Sequence, residues 1–300
     1  MTQTSAFHFE SLVWDWPIAI YLFLIGISAG LVTLAVLLRR FYPQAGGADS
    51  TLLRTTLIVG PGAVILGLLI LVFHLTRPWT FWKLMFHYSF TSVMSMGVML
   101  FQLYMVVLVL WLAKIFEHDL LALQQRWLPK LGIVQKVLSL LTPVHRGLET
   151  LMLVLAVLLG AYTGFLLSAL KSYPFLNNPI LPVLFLFSGI SSGAAVALIA
   201  MAIRQRSNPH STEAHFVHRM EIPVVWGEIF LLVAALGGGF WTWWFWLGVA
   251  GLGLIVPMLL KPWVNRSSGI PAVLAACGAS LVGVLMLRFF ILYAGQLTVA

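Results

Sequence analysis

The chain has 300 residues, of which 61% are hydrophobic and 9% charged, with a mean hydropathy of +0.99. That balance excludes a soluble globule and implies an all-α polytopic membrane protein, whose backbone polar groups are satisfied within each helix. The net charge of +8 is no argument for nucleic acid, because the excess sits in loops on one side of the membrane.

In chain order there are eight apolar runs long enough, or nearly so, to cross a bilayer: 17–38, 52–75, 91–113, 147–170, 180–203, 221–236, 240–261 and 270–293. Thirteen of the 17 Lys and Arg residues lie in the first, third, fifth and seventh connecting loops. Arg77, Lys83 and Lys171 lie in the others, and Arg288 falls inside the last run. The positive-inside rule then predicts eight transmembrane helices with both termini periplasmic. Residues 1–16 carry Glu10 and Asp15 but no Lys or Arg, so the first run reads as a retained span and not as a cleavable signal.

The first run starts after Trp14-Asp15-Trp16-Pro17 and carries Tyr21 about one turn in; the second ends in His74-Leu75-Thr76-Arg77-Pro78-Trp79. The third opens with Thr91, Ser92 and Ser95. The long cytoplasmic loop 114–146 contains an amphipathic stretch, 127–138, expected as one helix on the inner leaflet. The fourth run places Tyr162 in its outer half.

In the fifth run, Phe185-Leu186-Phe187-Ser188-Gly189-Ile190-Ser191-Ser192-Gly193 echoes Leu22-Phe23-Leu24-Ile25-Gly26-Ile27-Ser28-Ala29-Gly30 of the first. The echo divides the chain into two four-helix bundles, 1–170 and 171–300. The same Gly-x-x-x-Gly pattern also serves as a small-residue packing face.

His210, His215 and His218 fall before the sixth run and read as solvated loop residues. The sixth run, 221–236, would span about 24 Å against a hydrocarbon core of about 30 Å. Gly237-Gly238-Gly239 and the aromatic cluster 240–246 follow at once. This hairpin is therefore either short and tilted or lacks a loop segment. Glu228 in the sixth run and Arg288 in the eighth are intramembrane charges, expected as a pair that acts as a structural clamp or a proton-path element.

The sole cysteine, Cys277, leaves no basis for a disulfide, a zinc site or an iron–sulfur cluster. Only His74 of the eight histidines lies at a helix end, so no haem is expected, since membrane haems take paired histidines. At the outer ends of the first four helices, Asp15, Tyr21, His74, Arg77, Trp79 and Tyr162 collect. An apolar slot with hydroxyl and imidazole groups suits a quinone head group, whose oxidation releases two electrons and two protons. His74 suits proton handling, because its ordinary pKa lies near neutrality. Each residue also has a structural reading: Trp79 in an interfacial aromatic belt, Arg77 at a helix C-terminus, Tyr162 as a packed ring. Read from these residues alone, a passive membrane anchor and a secondary transporter stay open beside a quinol-oxidising subunit.

Several segments in order resemble the NrfD/PsrC family of quinone-interacting membrane subunits. They are 16–24 with the following Gly26 and Gly30, 74–82, 92–97, Tyr162-Thr163-Gly164 and 184–189. Within the family, the sequence is most similar to members serving formate-dependent nitrite reduction. The resemblance implies an inner-membrane protein of two four-helix bundles with a quinone site near the periplasmic face of the first. Menaquinol or ubiquinol is the implied substrate, with Tyr162 touching the quinone and Tyr21 in the neighbourhood where relatives carry helix-one polar residues. His74 and Asp15 would take protons, and Arg77 and Trp79 would line the site. The implied partners are a periplasmic four-cluster iron–sulfur protein and, downstream, multihaem cytochromes c, including a nitrite reductase.

Overall fold

The computed structural model of the protein describes residues 15–74, 78–86, 88–89, 92–127, 133–169, 173, 175–204, 212–236, 243, 245–260 and 270–297. Long apolar stretches can satisfy their backbone only internally in lipid, and the described elements are all helical. They are α1 (Trp16–Phe41), α2 (Thr51–His74), a 3₁₀ turn (Pro78–Thr80), α3 (Phe81–Phe86), α4 (Val93–Ile115), α5 (Glu117–Trp127) and α6 (Ile133–Leu141). After these come α7 (His145–Ser168), α8 (Leu181–Arg204), α9 (Thr212–Leu236), α10 (Phe245–Leu260) and α11 (Ile270–Leu297). Six of them, α1, α2, α4, α7, α8 and α11, have the length and hydropathy to cross a membrane.

Local sequence accounts for the ends. Asp15 precedes α1 in extended conformation and Pro17 sits in the first turn, where its missing N–H costs nothing. Arg39 and Arg40 occupy the last turn, the end at which cations are favoured. Ser92 caps α4 by accepting from the Ser95 amide. The N-terminus of α2 is capped twice: the Ser50 hydroxyl accepts from the Leu53 amide at 3.3 Å, and the Glu213 carboxylate on α9 accepts from the amides of Thr51 and Leu52, at 3.0 and 3.3 Å.

The most enclosed helix is α1, with 78% of its apolar stretch buried against 28% for α2, α4 and α11. It packs on α2, α7, α8 and α11. Its crossing with α8 is glycine on glycine. A Cβ on Gly30 would stand 2.0 Å from the Gly189 carbonyl oxygen, and one on Gly193 would stand 2.5 Å from the Leu31 amide nitrogen. The two echoed segments thus pack against each other, and the small-residue reading of the motif holds at this contact.

Several expectations are corrected. The sixth span does not begin at Glu221: α9 runs 25 residues from Thr212, about 37 Å at 1.5 Å per residue. A hydropathy reading stops at its charged first half, but Glu213 in the first turn is a helix-start signal. His215 and His218 accordingly stand on this helix and not in a loop, whereas His210 lies outside the described residues. Of the amphipathic stretch 127–138, Trp127 ends α5, 133–138 belong to α6 and 128–132 lie outside the described residues, whereas His145, expected away from any helix end, opens α7.

Candidate quinone site

At the end of the bundle where α1 begins and α2 ends, two buried tyrosines flank a phenylalanine. Tyr21 on α1 and Tyr162 on α7 are 2% and 8% exposed. The Phe101 ring on α4 lies between them, 6.0 Å from Tyr21 and 5.8 Å from Tyr162, edge-on to the latter at 90°. Helix periodicity sets this row, with each ring one to three turns below its helix end. Glycine makes room for both tyrosines: Tyr21 lies on Gly67 of α2 and the Tyr162 hydroxyl on Gly97 of α4. Tyr21 and Tyr162 are close enough to couple electrostatically. No hydrogen bond joins either hydroxyl to a described residue, and neither oxygen is among the fully enclosed polar atoms that lack a partner.

The second feature at this end is Asp15 with His74. Asp15 Oδ2 lies 3.9 Å from His74 Nε2, with side chains 51% and 38% exposed. The pair joins the start of α1 to the end of α2 and is open to its surroundings, as a proton acceptor must be. Tyr293 of α11 reaches the backbone at Trp16 and faces Asp15, placing a third phenol at the same end.

Trp79 is 87% exposed on the 3₁₀ turn, and Arg77 lies outside the described residues. The structure thus brings Tyr21 and Tyr162 into one row and Asp15 and His74 into one pair. Phe101, which joins the tyrosines, escaped the sequence reading, because one of 20 phenylalanines carries no mark of its position. Gly97 stood only inside a family segment; its contact with Tyr162 gives it a task.

Glu228 and Arg288 are both buried, at 4% and 0% exposed. They are coupled electrostatically, yet each turns to a serine of α8. Arg288 Nη2 donates to Ser188 Oγ at 2.7 Å and to the Phe185 carbonyl at 3.0 Å, with its guanidinium 3.7 Å from the Phe185 ring centroid. Glu228 lies beside Ser191. Nearer the arginine-rich end, His218 and Glu221, 3.3 Å apart, line a small open cleft with Cys277 and Ser280.

No group of three or more metal-ligating side chains occurs among the described residues. Over residues 4–236 and 232–300 the sequence matches the family described as "Polysulphide reductase, NrfD". It is 94% identical over 318 positions to "Protein NrfD" of Escherichia coli, covering 100% of both sequences. It is 45% identical over 313 positions to "Protein NrfD homolog" of Haemophilus influenzae, covering 98% of each. With the C subunit of the polysulfide reductase of Wolinella succinogenes it shares 36% identity over 310 positions, covering 96% of each. Matches on this scale, on a bundle of membrane-crossing helices, make this a multi-pass membrane protein that belongs to the NrfD family and is related to the C subunit of polysulfide reductase.

Proposed function

We propose that this inner-membrane protein is a quinol dehydrogenase subunit with eight transmembrane helices in two four-helix bundles. In this reading α9 and α10 complete the count and both termini are periplasmic. The observation that carries the reading is the pair of buried tyrosine side chains, Tyr21 and Tyr162, on either side of the Phe101 ring, with no hydrogen bond from their hydroxyls to a described residue. A quinol ring fits that chemistry: an aromatic face to stack on and hydroxyls to meet its two oxygens.

Menaquinol or ubiquinol enters from the lipid. Tyr162 and Tyr21 orient its oxygens, with Arg77 and Trp79 completing the rim. His74, held by Asp15, takes the first proton and passes it to water outside. Two electrons leave singly to a periplasmic four-cluster iron–sulfur protein docked over segments 76–90 and 171–179, and from it to multihaem cytochromes c that reduce nitrite. Two bonds to hydrogen break, and two protons and two electrons leave; nothing else is consumed.

Binding of a fluorescent quinol analogue to the purified protein tests this. Tyr162→Phe, Tyr21→Phe and His74→Ala should each weaken binding by roughly tenfold, about 1.4 kcal/mol, while thermal unfolding stays near wild type. Full binding in all three would move the site elsewhere. No binding even in wild type, with electron transfer intact in the assembled complex, would leave the protein as a passive anchor. The transporter reading rests on buried Glu228 and Arg288 among Gly-rich helices and on the internal repeat; against it, Asp15, Tyr21, His74 and Tyr162 gather at one end of the bundle and not at its midplane.

A further inference from the structure

We propose that residues 62–74, the outer limb of α2, form a hinged door over the tyrosine row, turning on Gly60-Pro61-Gly62 to let a quinol ring in from the lipid. What passes the door rests on the quinol reading; the motion itself does not.

The row is shut. Tyr21 and Tyr162 are buried, and so is Phe101 between them, so a ring reaches them from the lipid only if a helix moves. α1 is fixed by its glycine crossing with α8. α7 is fixed on α8 in the same way, since a Cβ on Gly164 would stand 2.4 Å from the Pro182 Cα. Beside Phe101, Gln102 ties α4 to α3 by donating to the Met85 carbonyl at 3.1 Å. The outer limb of α2 remains, and it covers the row directly. A Cβ on Gly67 would lie 3.4 Å from the Tyr21 ring and 3.5 Å from the Ile25 side chain.

The two limbs of α2 are held differently. Thr51, Leu52, Leu53, Thr56 and Gly60 of the inner limb are buried. Its first amides are held by Glu213, and Ser28 of α1 donates to the Gly60 carbonyl at 2.7 Å. In the outer limb Ala63, Val64 and Gly67 are buried, but none of residues 68–74 is. Ile65, Leu66, Leu69 and Phe73 are exposed, the apolar face that a spanning helix turns to lipid. The far end meets the start of α1 only loosely, with Asp15 and His74 3.9 Å apart.

Between the limbs stands a turn whose composition packing does not require. Pro61 offers no N–H to the Leu57 carbonyl and its ring crowds that carbonyl, which weakens the helix there. Glycine on either side weakens it further. Neither glycine serves a close approach: a Cβ on Gly60 would meet nothing nearer than 3.6 Å, and one on Gly62 nothing within 4 Å. At Gly30, Gly97 and Gly193, by contrast, the nearest atom would stand at 2.0, 1.8 and 2.5 Å. What Gly60 and Gly62 contribute is therefore backbone freedom. A swing of about 25°, the scale of a proline kink, carries Gly67, about 9 Å beyond Pro61, through about 4 Å. That is the van der Waals thickness of an aromatic ring.

The test needs no ligand at first. Ile25→Cys puts a thiol behind the door, at a fully buried position, and native Cys277, buried on α11, is the internal control. Labelling of both by N-ethylmaleimide is followed by peptide mass spectrometry, with the hinge intact and with Gly60→Ala and Gly62→Ala together. The alanine pair should slow labelling of the introduced thiol by roughly tenfold, as two such replacements within a helix imply, and leave Cys277 unchanged. With Ile25 in place, association and dissociation of the quinol analogue should slow by the same factor while Kd holds, the sign of a door and not of a lost contact. Equal labelling with and without the hinge glycines, or equal slowing at both thiols, overturns the proposal whether or not quinol binds. Slowed labelling with unslowed association means another way in and overturns it too. An analogue that binds not even the wild type refutes the quinol reading and leaves the hinge to the labelling. Should the alanine pair fail to accumulate, Leu24→Cys with Gly67→Cys in a Cys277→Ala background serves instead. A Cβ on Gly67 would lie 3.6 Å from the Leu24 Cβ, inside the disulfide range of about 3.5–4.5 Å. Oxidation should then slow association and reduction restore it; equal association in the two forms overturns the door.

Discussion

Gly97 and Gly62 differ only in what stands opposite them, which makes them a matched pair of probes. A Cβ on Gly97 would stand 1.8 Å from the Tyr162 hydroxyl oxygen, whereas one on Gly62 meets nothing within 4 Å. Gly97→Ala should therefore displace the Tyr162 ring, destabilise the protein by about 1–3 kcal/mol as overpacking does, and weaken quinol-analogue binding. Gly62→Ala should leave both unchanged or slightly raise stability. Thermal unfolding and analogue titration of the two variants check this. Deeper in the bundle, the Ser28 hydroxyl donates to the Gly60 carbonyl at 2.7 Å and lies 2.9 Å from the Tyr104 hydroxyl. With its only proton committed to the carbonyl, Ser28 must accept from Tyr104. Ser28→Ala strands that phenol and should cost about 1–2 kcal/mol, the scale of interhelical hydrogen bonds in membranes. Adding Tyr104→Phe should cost little more, since the stranded group is gone. Additive losses in that cycle would show that the two hydroxyls are not one unit.

Among the elements, the helices whose apolar periodicity runs end to end were legible in the sequence, and those with charge at one end were not. The runs at 17–38 and 180–203 became α1 and α8 with ends shifted by a few residues. The sixth was misread because His215, His218, Arg219 and Glu221 lower the hydropathy of α9's first half while leaving its helical propensity intact. Tyr21, Tyr162, His74 and Asp15 could be chosen by chemical type and helix end. Phe101 could not, because its role depends on which face of α4 meets α1 and α7, a tertiary fact. The same holds for Glu213, a carboxylate 162 positions from the Thr51 amide it caps. Glu213→Gln keeps an acceptor oxygen but removes the charge that complements the α2 dipole, and Glu213→Ala removes both. The expected losses are a few tenths of a kcal/mol and about 1 kcal/mol respectively. Hydrogen exchange at the Thr51 and Leu52 amides should quicken in that order, while the Leu53 amide stays held by the Ser50 hydroxyl; unchanged exchange at Thr51 and Leu52 in Glu213→Ala would mean that the carboxylate does not cap α2.

For the molecule as a whole, the side on which quinol protons leave hangs on which way the bundle faces, and that rests on the charges of its loops. Arg39, Arg40 and Arg54 flank the α1–α2 connection, opposite the end that holds Asp15, His74 and the tyrosine row. If positive loops stay inside, the site opens to the periplasm and quinol protons are released there. The single cysteine makes this measurable: Cys277 is buried, and Cys277→Ala gives a background without thiols. In it, Lys83→Cys, exposed on α3 near the Asp15 end, should react with a membrane-impermeant maleimide in intact spheroplasts. Asp49→Cys, exposed in the α1–α2 connection, should react only after lysis. The reverse pattern would turn the Asp15–His74 end toward the cytoplasm and put a periplasmic iron–sulfur acceptor out of reach. Electron tunnelling across the remaining bilayer would then need a series of cofactors between the quinol and that acceptor.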